Sequence, residues 1–123
     1  MTLTRISIFA IIALVLLPAG EALAHAQLEK AAPAVGSTVQ RAPARLWLKF
    51  NTIIRPTASG VRLTTPDGKQ TVLSPLTWDP SDTEAVTVPT PPNLAPGRYQ
   101  VEWRALSPDG HRTQGRFSFT VAR

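Results

Sequence analysis

Tyr99-Gln100-Val101-Glu102-Trp103-Arg104-Ala105 is the stretch whose period decides the fold. Tyr99, Val101, Trp103 and Ala105 occupy every second position, with Gln100, Glu102 and Arg104 between them. Side chains alternate across a strand, so this spacing makes one apolar face and one wet face. A helix needs apolar residues three or four apart, and the chain shows no such period. The alternation recurs in both directions. Phe117, Phe119 and Val121 alternate with Ser118 and Thr120, and Val86 and Val88 flank Thr87. Val61 and Leu63 alternate with Arg62 and Thr64, and Leu46, Leu48 and Phe50 share a face within Arg45 to Asn51. Weaker strands are expected at Ala26 to Lys30 and around Thr71 to Leu73.

Turn residues separate these runs: Pro33 to Ser37, Arg55-Pro56, Pro66-Asp67-Gly68, Pro75, Pro80, Pro89 to Gly97 and Pro108-Asp109-Gly110. Six or seven short strands with no helix give an all-β fold, an antiparallel β-sandwich of immunoglobulin-like kind. Phe50, Tyr99, Trp103, Phe117 and Phe119 sit at inward parity and are expected in the core. Trp47 lies on the face opposite Leu46 and Leu48, and Trp78 falls in a polar turn region; neither is assigned a place.

Residues 1–24 are expected to lie outside this fold. Ile8 to Leu17 is an unbroken apolar run behind a single charge, Arg5, and is broken by Pro18, Ala19 and Gly20. Ala22-Leu23-Ala24 is a small-x-small cleavage signal, so 1–24 reads as a secretory signal peptide cleaved after Ala24. The run is shorter than the roughly 20 residues that a membrane-spanning helix needs. Residues 25–123 then form one exported domain of 99 residues, with 12 basic and 7 acidic side chains and a net charge of +5. The basic residues are spaced singly along the sequence, without the block of like charges of a nucleic-acid arm, and no nucleic-acid partner is expected. They read as a solvated basic surface, with loose attraction to an anionic membrane as the other use.

The chain has no Cys and its one Met is Met1, so the exported part carries no sulfur. Thiolate metal sites and a thiol nucleophile are excluded. The two histidines carry what chemistry remains. His25 becomes the first residue after cleavage, and its free α-amine, with a reference pKa of about 8, can close a chelate ring with its own imidazole Nδ1. His111 stands in Ser107-Pro108-Asp109-Gly110-His111. Pro-Asp-Gly is ordinary turn chemistry, and Thr65-Pro66-Asp67-Gly68-Lys69 repeats its form without a histidine, so Asp109 is equally well read as a turn residue. Asp109 and His111, two apart across a glycine, can also project together onto one ion. Amine, imidazole and carboxylate in a tetragonal plane favour Cu(II), with Ni(II) a lesser candidate; Zn(II) could bind three such ligands but prefers tetrahedral geometry, and Cu(I) normally takes soft sulfur ligands. Neither histidine has a nucleophile elbow or oxyanion loop beside it.

These segments resemble the periplasmic copper resistance protein CopC family. The resemblance starts at His25-Ala26-Gln27-Leu28 and runs through Pro33-Ala34-Val35-Gly36-Ser37, Ala42-Pro43 and Leu46-Trp47-Leu48-Lys49-Phe50-Asn51. It is most specific in Leu94-Ala95-Pro96-Gly97-Arg98-Tyr99-Gln100-Val101-Glu102-Trp103-Arg104, Ser107-Pro108-Asp109-Gly110-His111 and Gly115-Arg116-Phe117-Ser118-Phe119. It implies a small Greek-key β-sandwich or barrel over 25–123 that holds Cu(II) in the periplasm through His25, Asp109 and His111. Copper sequestration, resistance or delivery is the implied role, by a monomer, with a separate inner-membrane copper transporter as a partner. Two features depart from parts of the family. No Met-rich segment is present, which places the chain with the Cu(II)-only type, and Thr52 stands where some relatives have an acidic residue. Two other functions fit a β-sandwich with an N-terminal histidine: a copper-dependent oxidative enzyme of monooxygenase type, and a metal-free immunoglobulin-like interaction module.

Overall fold

The computed structural model describes residues 25–123. The expected signal peptide, 1–24, lies outside the described residues. Nine strands follow one another: β1 (Leu28–Ala32), β2 (Thr38–Val39), β3 (Arg45–Phe50), β4 (Gly60–Thr64), β5 (Gln70–Leu73), β6 (Thr77–Asp79), β7 (Asp82–Pro89), β8 (Gly97–Leu106) and β9 (Arg112–Val121). A single 3₁₀ turn, Pro56–Ala58, is the one helical element among the described residues.

The strands form two sheets, ordered β1-β3-β7-β6 and β2-β9-β8-β4-β5. Every pairing is antiparallel except that of β2, which runs parallel to β9 at Thr38↔Thr120 and Val39↔Val121. The antiparallel β-sandwich expected from the sequence is what forms, with one parallel pairing at that edge. Two more adjustments concern the weak signals. The first strand lies at 28–32 rather than 26–30, and Thr77–Asp79 forms a strand where a polar turn was expected.

The apolar parity faces inward as the alternation requires. Leu46, Leu48 and Phe50 of β3 and Val86 and Val88 of β7 meet Val61, Leu63, Val101, Phe117, Phe119 and Val121 of the other sheet, all buried. Phe50 and Trp103 meet edge to face at 5.2 Å and 76°, while Tyr99 and Phe119 stack at 5.4 Å and 11°. The Tyr99 hydroxyl donates to the Ala95 carbonyl at 2.6 Å, which satisfies its polar end inside the core. Gly115 stands opposite Trp103, and a Cβ there would fall 2.6 Å from the indole ring, so only glycine leaves the ring its place.

The two unassigned tryptophans are tied on the four-stranded sheet. Trp47 donates its indole N–H to Asp79 Oδ2 at 2.7 Å, linking β3 to β6 across β7. Trp78 is 47% exposed and donates to the Ile54 carbonyl at 3.0 Å. Beside them Lys49 pairs with Asp82 at 2.7 Å and Glu84 at 3.1 Å. Three of the domain's seven acidic side chains, Asp79, Asp82 and Glu84, thus gather on β6 and β7.

Candidate metal centre

The β8–β9 hairpin closes through Ser107-Pro108-Asp109-Gly110-His111, and the turn is built by its own polar groups. The Ser107 N–H donates to the His111 carbonyl and the Gly110 N–H to the Ser107 carbonyl, each at 3.0 Å. Gly110 takes φ +86°, a conformation that residues with a Cβ rarely adopt. Asp109 Oδ1 accepts from the buried Ser107 hydroxyl and from the His111 N–H at 3.2 Å. The other oxygen, Oδ2, faces His111 Nδ1 at 2.9 Å.

The second turn of this form shows which of these features is general. In Thr65-Pro66-Asp67-Gly68-Lys69 the Asp67 Oδ1 likewise accepts from Thr65 and from the Lys69 N–H. The Thr65 N–H and Gly68 N–H repeat the two backbone bonds at 2.9 Å. One aspartate oxygen therefore builds the turn in both places. At Asp109 the second oxygen is turned to an imidazole.

Residue 25 reaches this turn because the two residues after it are pinned. The Ala26 carbonyl accepts from Thr113 Oγ1 at 2.7 Å at the start of β9. The Gln27 N–H donates to Asn51 Oδ1 at 2.8 Å, and the Asn51 N–H returns a bond to the Gln27 carbonyl at 3.0 Å. Ala26 itself is fully buried. His25 is thereby held over the hairpin turn, its ring 4.5 Å from that of His111 and tilted by 44°.

His25, Asp109 and His111 each offer a ligand atom, and the three lie within 4.8 Å of one another. That spacing suits one small divalent ion. Nitrogen and oxygen donors sit about 2.0 Å from such an ion, so donors on opposite sides are about 4 Å apart and neighbours in a square plane about 2.8 Å. The 2.9 Å between Asp109 Oδ2 and His111 Nδ1 is the neighbour distance. Two atoms so placed share either a proton or a metal.

The charge state favours a cation. Hydrogen bonds from Ser107, then from the His111 side chain and backbone N–H, hold the Asp109 carboxyl far below the usual carboxylate range. The carboxylate stays ionised wherever the imidazoles can be neutral. His111 and Asp109 are exposed and His25 half-buried, so the site opens to solvent.

The sequence picked out all three of these residues but missed those that bring them together: Ser107, Thr113 and Asn51. Ser107 carried one local signal, its place at the head of a Pro-Asp-Gly turn. Thr113 had none, because its partner Ala26 is 87 residues away.

Comparison with known proteins supplies independent context. A family model for the CopC domain matches residues 28–122. The protein YobA of Escherichia coli strain K12 is 34% identical over 98 residues, covering 80% of this chain and 79% of its own. Copper resistance protein C of Escherichia coli is 32% identical over 107 residues, 81% of this chain and 83% of its own. The crystal structure of CopC from Methylosinus trichosporium OB3b aligns with a TM-score of 0.71 at 29% identity, covering 80% of this chain and 94% of that one.

Proposed function

The chain belongs to the CopC domain family, and from that membership we propose that it is an exported copper-binding protein that captures Cu(II) through His25, Asp109 and His111. The observation that carries this is the convergence of the three ligand atoms within 4.8 Å from opposite ends of the sequence. Cleavage after Ala24 supplies the fourth donor, the α-amine of His25, which in the uncleaved chain is an amide. Amine and imidazole of one residue then chelate the ion, and the Asp109–His111 pair exchanges its shared proton for the metal. The exported chain contains no sulfur, which supports Cu(II) over Cu(I) as cargo. We assign sequestration or delivery in the periplasm, by a monomer, rather than turnover.

Capture is coupled to deprotonation, because imidazole and amine ligands bind metal only in their neutral forms. The decisive experiment is a Cu(II) titration with electron paramagnetic resonance on two forms, one starting at His25 and one with a single residue added before it. Tight tetragonal binding by the first form alone is expected. Equal binding by both would overturn the N-terminal ligand. Copper-loaded protein with reductant is expected to form no oxidised sugars; turnover would mark an enzyme instead.

A further inference from the structure

The five-stranded sheet has a wet outer face, and pairing register decides what stands on it. Arg62, Glu102 and Arg116 form one rank across β4, β8 and β9. Arg104 stands one rank towards the hairpin turn, Arg112 one further, and Arg98 lies near the other end. Five arginines and one glutamate give this face a charge of +4, out of +5 for residues 25–123. The remaining surface carries only +1, and three of its six acidic side chains lie on β6 and β7. Glu102 meets only Arg62, at a loose 4.0 Å.

We propose that this arginine face docks on an anionic phospholipid surface. Alternate residues are roughly 7 Å apart along a strand and neighbouring strands roughly 5 Å apart, and Arg98 and Arg112 stand four ranks apart, so the patch spans about 27 Å by 10 Å. Laid flat, the face brings each arginine within a Debye length of a lipid plane, about 10 Å at 0.1 M salt, so all five add to the attraction. Guanidinium groups suit phosphate because their planar fork donates two parallel hydrogen bonds. Charge complementarity here comes without the apolar centre of a protein interface. The outward positions of β4, β8 and β9 carry no aromatic side chain, whereas protein-docking hot spots centre on buried aromatics. Sheet faces that bind single-stranded nucleic acid also stack bases on aromatic residues. A plane of headgroups needs neither.

Docking this way would set the His25–Asp109–His111 turn at the rim of the contact, since Arg112 directly follows His111. Cargo would then be held at the bilayer surface. Membrane docking itself needs no copper, so its test is separate from the metal titration and is run in EDTA.

The test is co-sedimentation of residues 25–123, which contain the whole two-sheet domain, with vesicles. One set is phosphatidylglycerol and phosphatidylcholine in equal parts, the other phosphatidylcholine alone. Binding is expected only to the first, at low salt, and is expected to disappear near 0.3 M salt. Arg62→Gln/Arg104→Gln/Arg116→Gln is expected to weaken binding about 100-fold, from roughly fivefold per arginine. Lys30→Gln/Arg41→Gln/Lys69→Gln removes the same charge from exposed positions elsewhere and is expected to cost far less. Thermal melts confirm that both variants are folded. No binding to the anionic vesicles, equal binding to both vesicle types, or an equal or larger loss in the second variant would each overturn the proposal.

Discussion

The two Pro-Asp-Gly turns make an internal control for the role of Asp109. Asp67→Ala and Asp109→Ala each remove a carboxylate whose Oδ1 accepts from a hydroxyl and a backbone N–H. The backbone bonds of the two turns match to within 0.1 Å. Both variants should therefore lower the thermal midpoint by similar amounts. They differ in one contact, Asp109 Oδ2 to His111 Nδ1 at 2.9 Å. Groups that hold a ligating histidine in place are typically worth 10- to 100-fold in metal affinity, and in the proposed site Asp109 both faces the imidazole and offers an oxygen to the ion. Asp109→Ala should thus lose roughly 10- to 100-fold in Cu(II) affinity, while Asp67→Ala stays within about twofold. Competition with a chromophoric chelator at pH 7.5 reads both, using protein that starts at His25. Equal losses in the two variants would show that turn geometry, not the carboxylate, is what copper binding needs. An Asp109→Ala affinity within twofold of the parent would remove Asp109 from the site.

Three further outcomes are expected. His25→Ala and His111→Ala should each weaken Cu(II) more than Asp109→Ala does, with the fold unchanged in circular dichroism; the reverse ranking would contradict the ligand roles. Copper should be released between pH 7 and 5, where free imidazoles as a class take up protons, near 6.5. The fold should persist through that range. Asp67, Asp79, Asp82 and Asp109 all have lowered carboxyl pKa values, from hydrogen bonds to Thr65, the Ser81 backbone, Lys49 and Ser107 respectively. Their stabilisation is present above the ordinary carboxyl range and lost only as pH falls below it. Unchanged affinity at pH 5, or unfolding together with release, would count against this division. Gly115→Ala should lower stability by about 1–3 kcal/mol through overpacking against Trp103, a fall of several degrees for a domain of this size. An unchanged melt would mean that the indole has room to move.

The strands that could be read from sequence are those whose alternation is long. β8 spans ten residues and β3 six with one face apolar throughout, and β9 keeps such a face over Phe117, Phe119 and Val121, so the register has a single good solution. β2 and β6 had no such signal. Two residues of β2 become a strand because they lie along β9, and three residues of β6 because β7 lies beside them. Trp78 is a strand residue for that reason alone, and its hydrogen bond to Ile54 closes against a loop 24 positions earlier. The site divides in the same way. The proposed ligands are rare types in marked positions, a histidine behind an expected cleavage signal and a histidine behind a turn, and can be named from sequence. Their meeting depends on Thr113 and Asn51 fixing the backbone after His25, which only the folded pairing shows.

The arginine face is the clearest case of a property that the linear sequence hides. Arg62, Arg98, Arg104, Arg112 and Arg116 never stand closer than four positions, and along the chain they read as dispersed charge. Period-two alternation sends each of them outward, and antiparallel registry across β4, β8 and β9 then brings the ranks together. Like charges opposite one another destabilise a sheet, and here they are offset: Arg104 faces Gly60 and Gln114, and Arg98 faces Thr120, while the two that share a rank have Glu102 between them. The register thus spreads the arginines enough to limit repulsion within the sheet and leaves their combined charge directed at whatever lies in front of it.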